Sequence, residues 1–192
     1  MPYLLTVGEK ESEGFGAANF YQHFGPYFYS FRAGNSQFLF LDGSRPYNQA
    51  FQLHWLEQRL QETAALHRFV FIGYPLYPAS NRSPLDFQRQ YLPGRGFRDR
   101  LHTLFRTYGV DAVFSSNLHL FDEQTRDGVR YVVTGGAGGL VLNNDTSFYH
   151  YVDVTTHGKN LSIAVQRVDI GQHKVFKTLE SLWLFVHSLF YV

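Results

Sequence analysis

Nine histidines and sixteen acidic residues are spread along this 192-residue chain, which has no cysteine. Thiolate nucleophiles, thiolate zinc sites and disulfides are therefore excluded together. The histidines fall in segments of different character, and sequence separation singles out no Ser/His/Asp arrangement among them. A denser signal lies between residues 82 and 106, where Arg82, Arg89, Arg95, Arg98, Arg100 and Arg106 are set against only Asp86 and Asp99. The planar guanidinium fork matches phosphate and carboxylate, so Arg82, Arg89, Arg95 and Arg98 are candidate contacts for an anion or a partner. The competing reading is a solvated loop followed by a helix with arginines on its outer face. Phe87 and Tyr91 are too few to make a base-stacking platform. The run Gly135-Gly136-Ala137-Gly138-Gly139 could present bare N–H groups to an anion. No Lys-Ser/Thr pair follows it, and the next segment, SFYHYVDV, has strand character, so neither the P-loop nor the dinucleotide fingerprint is met. A structural turn in which glycine serves tight backbone geometry is the expectation.

Composition narrows the partners. Seventeen Lys+Arg against sixteen Asp+Glu give a formal net charge of +1, too weak a field for a dedicated nucleic-acid binder. With 44% hydrophobic and 18% aromatic residues the chain is an ordinary globular one, able to bury roughly 70% of its unfolded surface. The opening MPYLLTVGEKESEG carries no basic n-region and reads as no signal peptide. The closing SLWLFVHSLFYV is apolar, but its 12 residues fall short of the roughly 20 that span a bilayer. It reads as a terminal core element, and localisation stays open. Asn144 and Asn160 head glycosylation acceptor triplets, a pattern common by chance.

The elements that must position these groups are legible from period. Residues 27–42, YFYSFRAGNSQFLFLD, are two alternating aromatic runs around Gly34-Asn35, the signature of a hairpin. From Asn48 the spacing of Phe51, Trp55, Leu56 and Leu60 predicts an amphipathic helix ending near Ala65. HRFVFI, residues 67–72, reads as a strand buried on both faces. Residues 73–96 carry four prolines and no period, as a long surface loop would. Phe97, Leu101, Leu104, Phe105 and Tyr108 predict a second helix closed by Gly109. VDAVFS then predicts a further buried strand, and VRYVVTGG, SFYHYVDVTT and LSIAVQRVD a final antiparallel section.

Four stretches, in order, resemble the calcineurin-like metallophosphoesterases and most of all their purple-acid-phosphatase-like branch. They are FYQHFGPYFYSFRAGNSQFLFLD, QLHWLEQRL, RFVFIGYPLYPAS and YGVDAVFSSNLHLFDEQTRDGVRYVVTGGAGG. The resemblance runs from about residue 3 to 169. It implies an α/β class, an α+β sandwich of mixed sheets flanked by two main helices. It implies a phosphoesterase domain over 1–170 that lacks its N-terminal part, with an apolar extension, 171–192, packed on it.

Family members hydrolyse phosphate esters with two metal ions that share bridging ligands. Their Asp-x-His and Gly-Asp-x-x-Asp loops would precede Met1. Their Gly-Asn-His corresponds to Gly8-Glu9-Lys10, so Glu9 replaces the ligand amide and Lys10 the imidazole. The lone histidine before a proline falls on Gly73. Gly-His-x-His stands as Ser116-Asn117-Leu118-His119. What the resemblance leaves is a weak residual metal set of His119, Asn117 and Glu9, able to hold at most one divalent ion in place of two, with no cofactor expected. A non-catalytic binding or scaffold domain is the first functional expectation. The second is an active metal-dependent phosphoric ester hydrolase whose aspartate loops come from upstream. A partial sheet would expose an edge and an apolar face, so self-association or a partner chain is expected, with no nucleic acid and no membrane span.

Overall fold

The computed structural model describes residues 3–8, 11, 14–44, 48–62, 64–80, 95–137, 141, 145–168, 182, 183 and 186. Among them the chain runs α1 (Gly16–Phe24), β1 (Tyr29–Ala33), β2 (Ser36–Leu41), α2 (Gln49–Glu62), β3 (His67–Ile72), α3 (Arg95–Thr107), β4 (Ala112–Ser115), β5 (Phe121–Arg126), β6 (Val129–Thr134), β7 (His150–His157) and β8 (Asn160–Arg167). Six strands form one mixed sheet in the order β1-β2-β3-β4-β6-β5, and β7-β8 form a separate two-stranded sheet. The inner strands β2, β3, β4 and β6 are parallel, while β1 and β5 are antiparallel edges. This is the expected α/β class with mixed sheets, carrying three helices where two were foreseen.

The alternation of each strand builds two different faces. Leu39 and Leu41, Val70 and Ile72, Val113, Val129 and Tyr131 point to one side. There they meet Leu53, Leu56 and Leu60 of α2 and Phe97, Leu101 and Phe105 of α3. The helix residues recur every three or four positions, so each helix turns one apolar stripe to the sheet. Leu39, Leu41, Leu56, Leu101 and Phe105 are wholly buried, each burial contributing about 1.5–3 kcal/mol. Phe69, Ala112, Phe114 and Val132 point to the opposite side, where Val152 of β7 and Leu161 and Ile163 of β8 pack on them. His67 ties the layers together: its Nε2 lies 2.8 Å from the Gly158 carbonyl in the β7-β8 turn.

Several expectations need revision at their edges. The hairpin turns at Gly34-Asn35 with Gly34 at φ 58°, as the sequence suggests. Of the foreseen 73–96 loop, 81–94 lie outside the described residues, and Arg95 and Gly96 already belong to α3. The last third is not wholly antiparallel: β6 pairs in parallel with β4 and antiparallel with β5. Two elements went unread. α1 is a short helix with a single buried residue, Phe20. β5, FDEQTR, is polar because it is an edge strand with one buried residue, Asp122. Of the proposed 171–192 extension, all but 182, 183 and 186 lie outside the described residues, and Leu182, Trp183 and Val186 are exposed.

Candidate functional site

Parallel strands converge their carboxyl ends, and in open α/β sheets the crevice outside those ends is where ligands bind. Here the ends of β2, β3 and β4 carry Asp42, Gly73 and the turn 116–120. Asp42 is fully buried. Its backbone N–H donates to Gln52 Oε1 at 2.7 Å, Gln52 Nε2 donates to its carbonyl at 2.8 Å, and its Oδ1 accepts from the N–H and hydroxyl of Ser44. α2 thereby holds the end of β2. Gly73 follows β3, and its carbonyl accepts from both the N–H and the hydroxyl of Ser116, at 3.2 and 3.3 Å.

The structure brings three of the motif positions together. Val7 and Gly8 lie over Gly73 so closely that a Cβ on Gly73 would stand 2.6 Å from the Val7 carbonyl oxygen and 3.4 Å from Gly8 Cα. Beside them, Leu118 N–H bonds to Ser116 O at 2.7 Å around Asn117, which sits at φ 62°. Such three-residue turns with a positive central φ are rare and strained. Asn117 Nδ2 is buried there without a hydrogen-bond partner. His119 is exposed, and its carbonyl accepts from Ser147 Oγ at 2.6 Å.

Of the glycine run, Gly138 and Gly139 lie outside the described residues, while Gly135 and Gly136 sit in tight backbone geometry. A Cβ on Gly135 would fall 2.0 Å from Leu118 O, and one on Gly136 would fall 2.1 Å from His150 Nδ1. Glycine here lets the turn press on the backbone that carries His119. Glu9 and Lys10 lie outside the described residues, as do Arg82 and Arg89. Arg95 and Arg98 fall in the first turn of α3. Among the described residues no group of three or more His, Asp or Glu side chains stands close enough to share a metal ion. The Val7 carbonyl oxygen occupies the space into which a Gly73 side chain would project.

A second constellation escaped the sequence reading. His102 of α3 lies 2.7 Å through Nδ1 from the Tyr131 hydroxyl and 2.9 Å through Nε2 from Asp127 Oδ2. Tyr77, in the segment after β3, meets Tyr131 and His102 edge-on at 5.1 and 5.9 Å. Burial raises the Tyr131 hydroxyl far above the ordinary tyrosine range. Burial also raises Tyr77, opposed by the charges of Arg98 and Arg126. The hydrogen bond from His102 holds Asp127 below the usual carboxylate range. The available signals were Arg98 and His102 one turn apart on a helix and Asp127-Gly128 as a hairpin turn.

No family model matches the chain. It is 36% identical over 124 residues to the serine/threonine-protein phosphatase CPPED1 of Danio rerio, an alignment covering 63% of this chain and 39% of that protein. To the same phosphatase of Rattus norvegicus it is 31% identical over 169 residues, covering 81% and 53%. The chain thus spans about half the length, or less, of these curated relatives. Among solved structures, purple acid phosphatase PPD1 from yellow lupin seeds superposes with a TM-score of 0.60 at 16% identity, over 77% of this chain and 31% of that one. GAP50, the anchor in the inner membrane complex of Plasmodium, does so with a TM-score of 0.51 at 14% identity, over 80% and 59%. The motif order, the mixed sheet with its helices, and these relatives agree: the chain belongs to the calcineurin-like metallophosphoesterase superfamily.

Proposed function

We propose that this chain is a metallophosphoesterase-fold domain that binds or scaffolds without hydrolysing phosphate esters. The observation that carries the reading is the Val7 carbonyl lodged 2.6 Å from where a Gly73 side chain would begin, at the position where the family places a metal-binding histidine. Two cations about 3.5–4 Å apart need a dense set of hard ligands with a bridging carboxylate. His119 and Asn117, with Glu9 if it reaches them, supply at most one weak divalent site. Likeness to GAP50, itself an anchor, is compatible with a scaffold on this fold. The test joins metal analysis to an assay on an aryl phosphate: at most one loosely held ion and background turnover are expected. Two equivalents of metal with turnover well above background would overturn the reading. Gly73→His is expected not to create turnover, since its side chain would meet the Val7 carbonyl.

A second reading keeps the hydrolase. Both curated relatives are phosphatases, and this chain covers only 39% and 53% of their lengths, so an upstream segment could bring the aspartate loops. Coding sequence with Asp-x-His and Gly-Asp-x-x-Asp in frame before Met1 would favour it. On either reading the domain pairs with a further polypeptide, its own copy or another, across the sheet face that, among the described residues, β7-β8 covers in part.

A further inference from the structure

Two arginines from different elements converge on one tyrosine. Arg126, the last residue of β5, places its Cζ 4.1 Å from the centre of the Tyr77 ring, and Arg98 of α3 places its own 5.3 Å away. Arginine stacks on aromatic faces and keeps its N–H fork available in the ring plane. Arg126 finds no carboxylate among the described residues; its terminal nitrogen donates to the neutral Gln124 Oε1 at 2.9 Å. Among the described residues Arg98 gives its Nε to Asp99, at 2.9 Å. Asp127, the neighbour of Arg126, is turned to His102 instead. Two guanidinium charges within 5.3 Å of one ring make an electropositive patch that attracts an anion.

We propose that Tyr77, Arg98 and Arg126 form a binding site for a phosphoryl group carried on a phosphorylated peptide. The guanidinium forks suit a dianionic phosphate, which takes several charge-assisted hydrogen bonds at once. The acids around the site choose the kind of anion. Asp99 and Asp127 are 61% and 62% exposed, so they stand at the rim and repel a continuous sheet of negative charge such as an anionic lipid surface or a nucleic-acid backbone. A point anion flanked by a basic residue satisfies both the arginines and the rim. The site also stands apart from the motif remnants. Asp127-Gly128 turns at the amino end of β6, whereas Gly73 and Asn117 follow the carboxyl ends of the parallel strands.

The test measures fluorescence anisotropy of a short labelled peptide with one phosphoserine followed by lysine, against its unphosphorylated twin, with a chelator present so that binding is read apart from any metal chemistry. The phosphopeptide is expected to bind more tightly than the twin and to be displaced by inorganic phosphate. Arg126→Gln and Arg98→Gln are each expected to weaken it about tenfold, the scale of one charged hydrogen bond. Arg100→Gln, on another face of α3, is expected to leave it unchanged, with thermal unfolding confirming that each variant is folded. Equal affinity for both peptides, full binding by the Arg98/Arg126 double variant, or binding to phosphatidylserine vesicles that the phosphopeptide does not compete away would each overturn the site.

Discussion

Single side chains here are governed by what lies against them. Tyr131 is 6% exposed, and its hydroxyl meets His102 at 2.7 Å. Burial raises its folded-state ionisation above that of the unfolded chain, near 10. Above that value the unfolded chain releases a proton that the folded one keeps. The contribution to stability is therefore complete below about pH 10 and drains away as pH rises further. Urea midpoints measured from pH 8 to 11.5 should fall more steeply for the native chain than for Tyr131→Phe, which has no phenol to ionise. Equal slopes would show that Tyr131 does not govern the alkaline limb. The candidate residues His119, Asn117 and Gly73 were readable from motif order. The close seat of Val7 on Gly73 was not, because a backbone carbonyl from a distant segment leaves no mark in local spacing.

At the scale of elements, the glycines divide by what a methyl group would meet. At Gly135 and Gly136 the nearest atoms are 2.0 and 2.1 Å away, in the Leu118 carbonyl and the His150 ring. Gly135→Ala and Gly136→Ala should each cost about 1–3 kcal/mol, as overpacking does, and should displace the turn carrying His119. Gly96, inside α3, meets nothing within 4 Å. Gly96→Ala should instead add about 0.5 kcal/mol by lowering the entropy of the unfolded chain. Chemical denaturation of the three variants checks both signs, and destabilisation by Gly96→Ala would refute the open space assigned to it. Helices α2 and α3 were legible because their apolar residues keep one period, and β3 and β4 because theirs form short, nearly continuous apolar runs. β5 was not, since an edge strand with one buried residue keeps none.

At the scale of the whole molecule, the described residues leave one face of the large sheet partly covered. Rings stack across four strands of one sheet face: Tyr29 on Phe40 at 4.5 Å, Phe40 on Phe71 at 4.7 Å, and Phe71 on Phe114 at 5.2 Å. β7-β8 packs against Phe69 and Phe114, while Tyr29, Phe31, Phe38 and Phe71 stay only partly buried. A twisted sheet with one apolar face part-covered and an edge at β1 favours association. Light scattering after size exclusion should give a mass above that of one chain, rising with concentration. Phe31→Glu, which places a charge among those rings, should return it to a single chain. A stable native monomer at high concentration would contradict the pairing. Period and motif order by themselves determined the α/β class, most strands, two helices and the ancestry, because each is written in residues close along the chain. Tertiary structure alone decided that β6 lies parallel beside β4, that Val7 fills the space at Gly73, and that Arg98 and Arg126 meet on Tyr77. Those contacts join segments tens of residues apart, and only the packed sheet fixes which of many such pairs are neighbours.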